Sequence, residues 1–332
     1  MLVLWDTCPA LRIGYFLAPP NPMQSGFKSI PIPKRTPNGE LPETLIRRAQ
    51  TAPYVNAPLN VLEILRSHWP EYLMEAGEIA SYMFLVCAFA TLLLHPISPL
   101  HFIHSGFLRR AVMGLLVGSA VVAIILTPWG KQSGGHFNPA ITLTFYRLGK
   151  LAFWDALFYV AAQFVGAAGG VGFATYVLRG APGTPFVHYA VTAPGRFGNS
   201  GAFLGELTIS FLLMITILVA SNRRGLTRYT PYLVGALYAT FITFESPLSG
   251  MSMNPARTFG SAFFAGYWQA YWLYLIAPTL GMFAGAEVFL WARRGINSYC
   301  AKLDHDNHTR CIFLHGYRNS ASLKSSFKEI LG

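Results

Sequence analysis

Of 332 residues, 53% are apolar and only 12% charged, and the mean hydropathy is +0.39. Soluble domains carry roughly 25% charged residues, so this chain lacks the polar surface that a water-soluble globule of its size needs. The apolar content, with 31 Gly and 22 Pro spread throughout, also excludes disorder and coiled coil, which leaves a chain that uses lipid as part of its solvent. The formal charge of +11 would suit nucleic acid or anionic lipid, but its distribution has a topological explanation, given below. Cys8, Cys87, Cys300 and Cys311 are too few and too scattered for a disulfide scaffold.

Residues 1–73 are rich in proline, as in Ala18-Pro19-Pro20-Asn21-Pro22 and Pro31-Ile32-Pro33, with one short helical piece expected near Leu59–Ser67. This stretch reads as a cytoplasmic tail. Apolar runs of membrane-spanning length follow near 74–94, 111–127, 151–178, 202–220, 231–247 and 269–292. Six spans put both termini on one side. The N-tail and the C-tail hold seven basic residues each, and the second and fourth connections three each. The opposite face has Arg109, Arg110, Arg179 and Arg196, with Arg257 considered separately. Basic residues stay on the cytoplasmic side, so both termini are expected inside. The net charge then needs no nucleic-acid partner.

Two segments between the spans are near copies: Ser133-Gly134-Gly135-His136-Phe137-Asn138-Pro139-Ala140 and Ser249-Gly250-Met251-Ser252-Met253-Asn254-Pro255-Ala256. Three spans separate them, an odd number, so the copies enter from opposite faces as an inverted repeat. Asn is a preferred helix N-cap and Pro is favoured at the first helical position. The apolar runs that follow, Ala140–Tyr146 and Ala256–Phe264, are too short to cross a bilayer of ~30 Å. Two such half-helices meeting head to head make one crossing and focus their positive dipole ends on its midpoint. Interrupted backbone at that depth requires burial in protein or a water-filled cavity. The expected fold is therefore an all-α membrane protein with six transmembrane helices and two re-entrant half-helices.

In span count, loop positions and both boxes, residues 74–292 resemble the aquaporin and aquaglyceroporin channels, the major intrinsic protein family. The tails, 1–73 and 293–332, lie outside the resemblance. It implies two three-span repeats around a single-file pore, four protomers in a homotetramer, and a pore centre made by Asn138, Pro139, Ala140, Asn254, Pro255 and Ala256. The amides of Asn138 and Asn254 would donate to a molecule there, while opposed dipoles repel cations and protons. Glu78 and Glu206 occupy matching places, as Gly77-Glu78-Ile79 and Gly205-Glu206-Leu207. Ionisable groups inside a membrane need partners or water, and the resemblance makes these two buttresses behind the re-entrant loops. A proton relay is the alternative reading.

Gapless counting from the boxes gives a selectivity filter of Gly118, Ile242, Met251 and Arg257. Strict water channels of the family usually carry an aromatic residue and a histidine at the first two positions, so this filter is wider and more apolar, although Met251 can refill some of the space. Arg257 would donate hydrogen bonds and repel cations. Thr258 and Ala262 point back towards water, since glycerol-conducting members usually place Asp and Lys there. Glu245 reads as an interfacial, solvated carboxylate. His136 is expected to contact water at the cytoplasmic pore mouth.

The C-tail packs Cys300, His305, His308, Cys311 and His315 into sixteen residues, ligands that suit zinc, yet the spacing matches no standard finger. A solvated tail is the expected reading. Nothing orders a nucleophile, base and orienter, and the Gly-rich stretches follow no phosphate-loop spacing, so no enzyme and no cofactor are expected. The sequence thus predicts a passive channel for water and small neutral solutes in a cell membrane. A glycerol- or urea-type facilitator is the nearer alternative; a proton-coupled transporter or metal-sensing membrane protein is the more distant one.

Overall fold

The structure, a computed structural model, describes residues 61–223, 225–305 and 307–316. Most of the proline-rich tail therefore lies outside the described residues. Among those described, ten α-helices occur: α1 (Val61–Leu94), α2 (Gly106–Leu126), α3 (Pro128–Ser133), α4 (Pro139–Arg147), α5 (Phe153–Val177), α6 (Gly198–Asn222), α7 (Thr230–Phe244), α8 (Ser246–Ser249), α9 (Pro255–Ala265) and α10 (Tyr271–Ala292). Five of them, α1, α2, α5, α6 and α10, are long and apolar enough to cross a membrane. α7 has 15 residues, about 22 Å at ~1.5 Å per residue, and is extended by a 3₁₀ turn before it and α8 after it. The chain is a multi-pass membrane protein.

Two boundaries differ from the sequence reading. The short helical piece near Leu59–Ser67 and the first span are one helix, α1, which runs on through Pro70. Its first turns carry polar residues, so hydropathy alone placed the start at the apolar run. The second difference is the C-terminal segment after α10. Its described residues form no helix, yet Asn297, Ser298, Cys300, Ala301, Leu303 and Phe313 are all buried. These residues are packed chain, not a solvated tail.

The long helices pair as α1 with α5, α2 with α7, and α6 with α10, while each half-helix docks on the third long helix of the other repeat, α9 on α5 and α4 on α10. The glycine-rich stretch of α5 permits the first pairing: a Cβ on Gly166 or Gly170 would fall 2.3 Å from the carbonyl oxygens of Ala76 or Ala80. Small residues let helix backbones approach this closely when lipid supplies no hydrophobic drive. The outer faces carry exposed Leu115, Phe173 and Leu204, with Tyr176 and Trp291 more than 80% exposed at helix ends, as a lipid-facing surface requires.

Candidate functional site

The half-helices α4 and α9 meet at their N-termini because each Asn works in two directions. Asn138 Oδ1 caps its helix by accepting from Ala140 N at 2.9 Å, and Asn254 Oδ1 accepts from Ala256 N at 3.1 Å and Arg257 N at 3.2 Å. The amide nitrogens point the other way. Asn138 Nδ2 donates to the Met253 carbonyl at 2.8 Å, and Asn254 Nδ2 donates to the Phe137 carbonyl, also at 2.8 Å. Phe137 (φ +30°) and Met253 (φ +54°) hold left-handed backbone conformations. Such conformations cost ~1–3 kcal/mol and cluster at functional sites; here they lie in the two residues whose carbonyls receive the crossed amides. Each amide donates one hydrogen across the boxes and carries a second, which on Asn138 is turned towards Tyr238.

Behind each box stands a buried carboxylate. Glu206 accepts from Ser249 Oγ (2.7 Å), Ser252 N (2.6 Å) and Met253 N (2.7 Å). In the first repeat the equivalent residue is Glu75. It accepts from His136 N (3.0 Å), Phe137 N (2.6 Å) and Gln163 Nε2 (2.7 Å). Glu78 accepts only from Ser133 Oγ at 2.7 Å, and its second oxygen is buried without a partner. The backbone-holding role assigned to Glu78 therefore belongs to Glu75, one turn earlier. The shared Gly-Glu dipeptide misled the comparison; Glu71, Glu75 and Glu78 follow the four- and three-residue steps of one helix face, the signal that could have found it.

The repeat reaches further than the boxes. Tyr159 OH donates to the Ser133 carbonyl at 2.7 Å, and Tyr274 OH to the Ser249 carbonyl at 2.6 Å. Thr142 and Thr258, each four residues after its Asn, bond back into the preceding loop: Thr142 Oγ1 lies 3.1 Å from His136 Nδ1, and Thr258 Oγ1 lies 2.5 Å from Ser252 Oγ. Thr258 is thus a loop tie, not a solute-contacting group. Tyr159 and Thr142 were not singled out from sequence.

On the other side of the boxes, Ile242, Met251 and Arg257 are all buried, and Arg257 Nη1 has no hydrogen-bond partner. Gly118 is placed differently. A Cβ there would lie 2.4 Å from the Gly235 carbonyl, so this position faces α7. One residue on a helix turns by about 100°, and the neighbouring Val117 is buried in the same cluster as Ile242 and Met251. Tyr82 and Tyr238 meet edge to face with centroids 6.2 Å apart, Tyr82 lying beside Arg257 and Tyr238 beside Asn138. Both carboxylate oxygens of Glu245 are buried without partners, so it is not the solvated group expected.

His136 does not face open water. It is fully buried, with its ring stacked between Phe145 (5.2 Å) and Phe313 (5.4 Å). Gln163 Nε2 donates to Thr142 Oγ1 at 3.0 Å, so the threonine hydroxyl donates to Nδ1, and Nε2–H donates to the Ala301 carbonyl at 2.8 Å. The C-terminal segment continues across this end of the bundle. Leu303 N donates to Gly134 O at 3.0 Å, Thr309 Oγ1 to Lys131 O at 2.8 Å, and Lys150 Nζ to Gly316 O at 2.7 Å. The fold also divides the Cys/His candidates. Cys300, Cys311 and His315 present ligand atoms within 4.8 Å of one another. His305 instead lies with Nε2 2.7 Å from Ser221 O, and His308 is exposed. Cys300 Sγ and Cys311 Sγ lie 3.8 Å apart and share one hydrogen bond.

The family described as Major intrinsic protein matches residues 66–289. Aquaporin NIP3-1 of Oryza sativa subsp. japonica is 38% identical over 174 residues, covering 52% of this chain and 54% of that protein. Nodulin-26 of Glycine max is 32% identical over 175 residues, 52% of this chain and 63% of that protein. The chain spans little more than half the length of these curated relatives. The aquaglyceroporin of Plasmodium falciparum shares the fold, with a TM-score of 0.58 at 21% identity over 67% of this chain and 95% of that one.

Proposed function

The chain belongs to the major intrinsic protein family, and from that membership and the geometry of its site we propose that it is a passive channel for water and small neutral solutes. The observation that carries this reading is the crossed pair of amides: each Asn spends one hydrogen on the opposite box and carries a second, on Asn138 turned towards Tyr238, for a passing oxygen. A molecule at this midpoint exchanges hydrogen bonds with water for fixed donors and loses little on desolvation. Both half-helix N-termini face it, so a cation or a hopping proton meets two positive dipole ends. Arg257, with its unpartnered buried Nη1, adds a donor and a charge barrier between the boxes and the outer mouth.

In this reading residues 74–292 form the channel body, the tails on either side and both termini lie in the cytoplasm, the host is a cell membrane, and four protomers assemble. The apolar Ile242 and Met251 favour passage of solutes such as glycerol or urea beside water, because the constriction has fewer groups that demand water's hydrogen-bond pattern. The test is stopped-flow light scattering on proteoliposomes, comparing water efflux with glycerol and urea uptake. Water flux well above that of empty liposomes is expected. Arg257→Ala should conduct water and also dissipate a proton gradient read with a pH-sensitive dye. Flux of wild-type protein at the empty-liposome level, in metal-free buffer, would remove the channel reading.

A further inference from the structure

We propose that residues 297–305 and 307–316 close the cytoplasmic mouth of the pore as a plug, and that Cys300, Cys311 and His315 latch the plug by binding one zinc ion. The proposal rests on the channel reading for its second half only; the metal site stands on the cluster itself.

The donor set is two sulfurs and one imidazole, ligands that zinc selects. The spacing also fits. Zinc–thiolate bonds are ~2.3 Å, so two thiolates on one tetrahedral ion lie about 3.8 Å apart. Cys300 Sγ and Cys311 Sγ are separated by 3.8 Å. His315 completes a three-ligand face and is itself exposed, leaving the fourth position to water. Lys302 donates its backbone N–H to Cys300 Sγ at 3.5 Å. Its Nζ donates to Thr309 Oγ1 and the Arg310 carbonyl, each at 2.8 Å, so the chain between the two cysteines is already drawn into a closed loop.

That loop carries the contact that blocks the mouth. Ala301, next to Cys300, holds the His136 Nε2–H, and Phe313, two residues after Cys311, covers the His136 ring. His136 lies two residues before Asn138, at the inner end of the re-entrant loop. A metal joining positions 300 and 311 therefore fixes the two C-terminal residues that contact His136. Without it, the plug is held by hydrogen bonds worth ~1 kcal/mol each and by the burial of a few side chains such as Leu303 and Phe313, and can lift. The sequence spacing hid the site because its third ligand, His315, falls four residues beyond Cys311, with no C-x-x-C pair.

The test uses the full chain, purified under reducing conditions and stripped with a chelator. Titration with zinc should give one ion per chain by mass spectrometry, and cobalt in its place should give a thiolate-to-metal charge-transfer band. Cys300→Ser, Cys311→Ser and His315→Ala should each bind zinc at least tenfold more weakly. Equal binding by the Cys300→Ser/Cys311→Ser double variant would overturn the site. In proteoliposomes, zinc should slow water flux of the wild type several-fold and leave the double variant unchanged. Zinc bound at this site with flux unchanged would overturn the plug. Stoichiometric zinc with no flux in either the metal-free or the loaded state would remove the channel reading, and the plug with it, while supporting the site.

Discussion

Asn138 and Asn254 are bound to each other's loops: each amide donates at 2.8 Å to the carbonyl immediately preceding the other asparagine. The meeting point of the two half-helices is thus a crossed pair of hydrogen bonds, and each box leans on the other for its shape. Asn254→Asp removes a donor and sets a carboxylate oxygen against the Phe137 carbonyl. Leaving a buried acceptor facing a charge costs ~2 kcal/mol or more, and a barrier raised by about 1.4 kcal/mol slows passage tenfold. Water flux should fall at least tenfold in stopped-flow measurements at equal protein content.

The carboxylates offer a matched comparison. Glu75→Gln and Glu206→Gln each turn one of two accepting oxygens into an NH₂ group that faces a backbone N–H. Each should lower stability by about 2–4 kcal/mol, since buried donors are left facing donors. Glu78→Gln disturbs one serine hydroxyl and should cost under about 1 kcal/mol. Melting in detergent, followed by intrinsic fluorescence, should rank the three variants in that order. Equal losses at Glu75 and Glu78 would contradict the assignment of Glu75 as the first-repeat buttress.

Gly118→Ala distinguishes a helix contact from a pore position. Its Cβ would lie 2.4 Å from the Gly235 carbonyl, an overlap that costs about 1–3 kcal/mol as α2 and α7 are pushed apart. Thermal stability should drop. A pore-lining glycine would instead accept the methyl with unchanged melting and narrower solute selectivity.

Tyr238 packs on Tyr82 and lies beside Asn138; under the channel reading it would set the width between Arg257 and the boxes. Tyr238→Ala should raise glycerol and urea uptake by several-fold, with a smaller change in water flux, in the same proteoliposome assay. Solute uptake unchanged in this variant would place the narrowest point elsewhere.

Much of this was readable in the residues. The repeat of Asn-Pro-Ala carried helix starts, inversion and a meeting point, because capping chemistry is local and leaves a sequence mark. Glu206 was found for the same reason, through its position relative to a repeat. Glu75 was missed because Glu71, Glu75 and Glu78 share one face of α1, and only the direction of the loop N–H groups separates them. Gly118 was misplaced because counting along a helix carries no information about rotation, and one residue changes the facing neighbour. Tyr159 on α5 and Tyr274 on α10 bond to the Ser133 and Ser249 carbonyls, whose distance in sequence exceeds any local pattern.

The sequence alone determined that this chain lives in lipid, that it is built twice over in opposite orientations, and that two short helices begin at Asn138 and Asn254. Those conclusions rest on hydropathy, charge placement and capping, which act over a few residues or over whole spans. The tertiary structure decided which carboxylate holds the first loop, which face Gly118 turns to α7, and where residues 297–305 and 307–316 lie. The last is the clearest case. Nothing local distinguishes a solvated tail from a packed one, and only the placement of Ala301 and Phe313 on His136 brings Cys300, Cys311 and His315 to the mouth of the bundle.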